Sequence, residues 1–118
     1  MKQKLNSEIN IFDIANYIIE NFSEKYEITH MKFQKLIFYI YSKYLIQHNK
    51  LLFNTVIEAW NYGPFFPELY LMLKQNRNQI IKNVIPQEIN SKLNTQHIEI
   101  IEYVLEKYGK MNFFCYSF

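Results

Sequence analysis

Among 118 residues, the side chains able to do covalent or acid–base chemistry are few and scattered. His30, His48 and His97 lie far apart, and Cys115 stands alone in an aromatic tail. No H-x-x-x-H or C-x-x-C spacing sets two metal ligands side by side. A cysteine nucleophile needs a neighbouring base or positive charge, and Cys115 has none close in sequence. Two glycines cannot build the phosphate cradles G-x-x-x-x-G-K-[ST] or G-x-G-x-x-G. Glu99, Glu102 and Glu106 recur at helical spacing and read as a solvated face. Glu58 and Glu68 are more informative because they bracket a shaped turn, where a carboxylate would ordinarily cap backbone N–H groups. No reaction can be named, so no catalytic residue, metal site or cofactor is expected.

The turn itself is the densest block of the chain. Glu58-Ala59-Trp60-Asn61-Tyr62-Gly63-Pro64-Phe65-Phe66-Pro67-Glu68-Leu69-Tyr70 holds the single Trp, one of two Gly and two of three Pro. Pro fixes its own φ, lacks an N–H and pushes the preceding residue out of the α region. Trp60, Tyr62, Phe65 and Phe66 wall the corner with more apolar surface than water tolerates. Trp60 and Tyr62 suit a core, and would carry interface energy if exposed. Pro64 and Pro67 are placed where a first helical turn accepts proline, so a helix is predicted over 67–77.

The elements that must position this corner follow from apolar periodicity. Asn10 reads as the N-cap of a helix carrying Ile11, Ile14, Ala15, Ile18 and Ile19, with Asp13 in its first turn. Thr29 caps a second helix over 30–48, apolar on so much of its surface that it is central and buried on more than one side. Lys32, Lys35 and Lys43 are expected on its polar side with Gln34, Tyr39 and Gln47. Leu51-Leu52-Phe53 and Val56-Ile57 are short apolar pieces suited to a small β-hairpin before the Gly-Pro turn. A short helical turn is expected over 87–94. Asn94 or Thr95 starts the last helix, with Ile98, Ile101, Leu105 and Tyr108 on one stripe and Gly109 as a left-handed C-cap. The fold class is mainly α: a compact single domain of four to five helices with a small β-hairpin.

Composition narrows the function classes. A hydrophobic share of 49 % is that of a globular domain. Lys outnumbers Arg twelve to one, beside abundant Ile, Asn, Phe and Tyr, as an A+T-rich genome would impose. The net charge of +2 comes from lysines spread along the chain with acids between them, which disfavours nucleic acid as a partner. One cysteine excludes an intrachain disulfide, and neither a signal peptide nor a membrane span is present in the pattern. A cytoplasmic protein is expected.

Three ordered blocks carry a family resemblance: Ile11-Phe12-Asp13-Ile14-Ala15-Asn16-Tyr17-Ile18, then Ile28-Thr29-His30-Met31-Lys32-Phe33-Gln34-Lys35-Leu36-Ile37-Phe38-Tyr39, then the Glu58–Pro67 corner after Leu51-Leu52-Phe53. Taken in this order, residues 9 to 110 resemble the Panacea antitoxin domain, the SocA-like family that includes phage-associated GepA-type proteins. The resemblance implies a Panacea-like domain over 1–110 and an atypical aromatic tail over 111–118, where the family usually continues into a further helix. It also implies a non-enzymatic antitoxin that binds a protein toxin encoded by a neighbouring gene, with the ClpXP protease as a second partner where the antitoxin acts as a delivery adaptor. The surface expected to meet the toxin combines His30, Lys32, Gln34, Lys35 and Tyr39 with Glu58, Trp60, Tyr62, Gly63, Pro64, Pro67, Glu68 and Tyr70. The alternatives are a small nucleic-acid-binding regulator and a phage-encoded interaction protein without a toxin partner.

Overall fold

Three of the four helices among the described residues begin where a side chain satisfies N–H groups that a first turn leaves without partners, and the third in chain order opens on a proline instead. The computed structural model describes residues 9–61, 63–74, 79–83, 85–86 and 93–111. Helix α1 (Ile11–Phe22) opens on a capping box: Asn10 Oδ1 accepts from the Phe12 and Asp13 N–H groups, and Asp13 Oδ2 accepts from the Asn10 N–H. Helix α2 (His30–His48) is capped by Thr29. It ends at Asn49, whose φ of 54° is the left-handed C-cap conformation. Strands β1 (Glu58–Trp60) and β2 (Gly63–Phe65) lead into helix α3 (Pro67–Leu73), which carries Pro67 in its first turn. Helix α4 (Thr95–Tyr108) opens on a second box, in which Asn94 Oδ1 accepts from the His97 N–H and His97 Nδ1 accepts from the Asn94 N–H.

Helix α2 is the axis of the domain, as its apolar content predicts. It packs against α1, α3, α4 and β2 and buries Phe33, Leu36, Ile37, Ile40, Tyr41 and Tyr44. The core continues through Ile14, Ile18, Phe53, Phe66, Leu69, Ile101 and Leu105. Two long-range backbone anchors tie the connection before α4 to the rest. Ile81 N–H donates to the Ile28 carbonyl at 2.9 Å. The Asn16 amide clasps Ile85, donating to its carbonyl at 2.9 Å and accepting its N–H at 2.7 Å. The architecture is mainly α with one small hairpin.

Four local expectations are corrected. The hairpin is not built from Leu51–Phe53 and Val56–Ile57, which form loop with Leu52 and Phe53 buried. It is the corner itself: Glu58 pairs with Phe65, Ala59 with Pro64 and Trp60 with Gly63. Gly63 permits this because its φ is +119°. Pro64 therefore lies in a strand and not in a first helical turn. Helix α3 is described over Pro67–Leu73, and the rest of the expected 67–77, from 75 on, lies outside the described residues, as does most of the helical turn expected over 87–94. The buried stripe of α4 is His97, Ile100, Ile101, Val104 and Leu105, while Ile98 and Tyr108 are half-buried. Gly109 is right-handed, with φ −62°. Its glycine is needed for space, since a Cβ there would sit 2.8 Å from the Tyr26 ring.

Candidate functional site

The corner is held against α2 by one buried amide. Gln34, 1 % exposed, accepts the Phe66 N–H at 2.8 Å through Oε1 and donates to the Phe66 carbonyl at 3.2 Å through Nε2. It thus treats the residue between β2 and α3 as a neighbouring strand would. Both bonds fix the orientation of the amide, so its second N–H points at His30 Nε2, 3.1 Å away. His30 must offer a lone pair there, so it is neutral with its proton on Nδ1. Burial pushes this imidazole down to about 4, in agreement with a neutral ring.

Above this polar triad lies an aromatic stack. Phe65 is buried between Trp60, 3.9 Å away and nearly parallel, and the rings of Tyr70 at 5.4 Å and His30 at 6.2 Å. Trp60 and Tyr70 are 39 % and 37 % exposed, so the outer layer of the stack meets solvent. Trp60 is therefore not core. Its Nε1 donates to Glu58 Oε1 at 2.8 Å, which lays the indole flat along the hairpin. Such half-exposed aromatics on a rigid base lose little entropy when a partner covers them.

Two grooves flank the hairpin. One, of about 550 Å³, is lined by Asn54, Thr55, Val56, Glu58, Pro67 and Glu68. The other, of about 340 Å³, is lined by Phe38, Ile57, Glu58, Ala59, Trp60, Gly63 and Pro64. Among the described residues, Glu58 and Glu68 do not act as the expected backbone caps. Glu58 accepts the Trp60 indole N–H, and Glu68 accepts the Thr55 hydroxyl at 3.2 Å.

The structure brings together His30, Gln34, Lys35, Glu58, Trp60, Gly63, Pro64, Pro67, Glu68 and Tyr70. Lys35 Nζ lies 3.2 Å from where a Gly63 Cβ would stand. The expectation that α2 presents its polar residues to solvent is corrected for three of them: His30, Lys32 and Gln34 are 6 %, 7 % and 1 % exposed. Lys32 turns back to donate to the Glu27 carbonyl at 3.1 Å, and burial lowers its pKa. Tyr39 belongs elsewhere, packed 4.5 Å from Tyr108 of α4. Tyr62, Cys115 and the tail from 112 onward lie outside the described residues. Sequence reasoning missed Thr55, Ile57 and Phe38 as groove walls. Only Ile57 carries a local signal, as part of the short apolar piece Val56-Ile57; Phe38 lies on α2 and Thr55 is polar.

Among the described residues, no group of three or more His, Cys, Asp or Glu is placed to hold a metal ion. No helix among them is long and apolar enough to cross a membrane.

Comparison with known proteins points in one direction. The family model described as "Antitoxin SocA-like, Panacea domain" matches residues 33–115. The chain is also similar to Antitoxin SocA of Caulobacter vibrioides (strain NA1000 / CB15N), 32 % identical over 94 residues. That match covers 72 % of this chain and 50 % of the relative, so the chain spans half the length of the curated protein it matches. No solved structure matches significantly.

Proposed function

Because this chain belongs to the SocA-like Panacea antitoxin family, we propose that it neutralises one cognate toxin by direct protein contact through the hairpin corner. Family membership carries the antitoxin role. The half-exposed Trp60 and Tyr70, set on buried Phe65 and His30, support the corner as the contact. Aromatic anchors on a rigid base, rimmed by polar Glu58, Glu68 and Thr55, have the make-up of a protein–protein interface core and rim. Neutralisation by binding asks for no catalytic group. The toxin is encoded by the neighbouring gene, and the antitoxin either sequesters it or hands it to the ClpXP protease.

The test is co-expression with the product of the adjacent gene. Growth rescue with a stable complex supports sequestration, and rescue with loss of the neighbour's protein supports delivery for proteolysis. Absence of both rescue and complex overturns the antitoxin reading for that pair. Lys32→Glu is unsuitable for mapping the contact, because it would place an unpaired carboxylate in a buried site beside Glu27. Tyr70→Ala removes an exposed ring instead and is expected to weaken rescue.

A further inference from the structure

The hairpin has one open edge, and its chemistry specifies what can sit there. Pro64 lacks an N–H, so the Ala59–Pro64 pair cannot exchange two ladder bonds. The bonded pairs are then Glu58–Phe65 and Trp60–Gly63, and the N–H and C=O of Ala59 point away from β2, along the outer edge of β1. No residue among those described takes up these two groups. The opposite side of the hairpin is closed: β2 packs on α2, and Pro64 leaves no donor there. All three β1 residues are exposed.

The two grooves have Glu58 in common and differ in their other walls. Ala59 and Pro64 share one face of the hairpin and line the smaller groove with Phe38 and Ile57. Glu58 alternates to the other face and borders both grooves, sharing the larger one with Glu68. Neither carboxylate has a cationic partner among the described residues; each accepts one neutral hydrogen bond.

We propose that the outer edge of β1 accepts an extended segment of the partner as an added strand, and that this segment alternates basic and apolar residues. Its backbone bonds Ala59, its apolar side chains seat over Phe38, Ile57 and Pro64, and its Lys or Arg side chains reach Glu58 and Glu68. Strand alternation sends successive side chains to opposite faces, so one segment serves both grooves. Identification of that segment as part of the toxin rests on the antitoxin reading above. The edge itself does not.

The probes are three synthetic extended peptides: one alternating Lys with Val and Thr, the same peptide with Glu for Lys, and the first N-methylated along one edge. Titration into the ¹⁵N-labelled full chain is followed at the Ala59 amide. The basic peptide is expected to shift and protect that amide, while the acidic and N-methylated peptides bind at least about tenfold more weakly. Ala59→Pro removes a donor that the hairpin does not use and is expected to abolish binding with the fold retained. Binding of the basic peptide that is indifferent to Ala59→Pro overturns the proposal, as does failure to perturb Ala59. Should Ala59→Pro misfold, the N-methylated peptide decides instead: equal binding with and without N-methylation overturns it. Growth rescue by wild type and by a folded Ala59→Pro alike would remove the toxin as the occupant of the edge and leave the antitoxin reading standing. No rescue by wild type would strike that reading while the peptide titration still decides the edge.

Discussion

Replacing Gln34 by Leu should show how much one buried amide does for the whole corner. Leu is close to Gln in volume, so the change removes polarity without opening a large cavity. The Phe66 carbonyl keeps the α3 bond from the Tyr70 N–H at 3.0 Å. The Phe66 N–H loses its acceptor in a site where Phe66 is fully buried, an orphaned donor costing about 1–3 kcal/mol. His30 Nε2 also loses its donor, for about 1 kcal/mol more. The expected loss is therefore about 2–4 kcal/mol, a large part of a total stability on the order of 10 kcal/mol. Urea unfolding measures it as a lowered midpoint with the slope unchanged. A loss below about 1 kcal/mol would refute the claim that Gln34 is the clasp between α2 and the corner.

Further outcomes follow from the same contacts. Stability should fall as pH drops from about 7 to 5, because His30 and His97 are both held below the ordinary value of 6.5 and the unfolded chain takes up protons first. With His30 at about 4 the full linkage is about 3 kcal/mol, reduced to about 2 by partial solvent screening, and it is exhausted once the folded ring protonates. His30→Gln, which still offers an acceptor to Gln34, should flatten this slope; an unchanged slope in thermal melts between pH 7.5 and 5 would contradict the assignment. Asn16→Leu should release Ile85 and cost about 1–2 kcal/mol, read as faster hydrogen exchange at the Ile85 amide. Unchanged exchange there would show that the clasp is not what holds this connection.

Local signals that act within one turn were readable from the residues. Asn10, Thr29 and Asn94 cap the helices expected of them, and Pro67 opens α3, because capping depends on a few adjacent groups. Features decided by tertiary neighbours were not. Gln34 and Lys32 look like solvent-facing residues until the Phe66 and Glu27 backbones are known to lie beside them. In α4 the run Ile98-Glu99-Ile100-Ile101-Glu102-Tyr103-Val104-Leu105 offers apolar residues in more than one register. Packing against α2 selects Ile100 and Val104 over Ile98. The Gly-Pro corner announced itself as the informative block, but its hairpin depends on the +119° φ of Gly63, which composition cannot reveal.

Contact between the corner and the toxin, as proposed, is read by hydrogen–deuterium exchange on the co-purified complex. Contact at the corner slows exchange across residues 58–70, centred on β1 and the start of α3, with the far end of α4 unaffected. A stable complex that protects α4 or the C-terminal end of α2 while leaving 58–70 unchanged would contradict it.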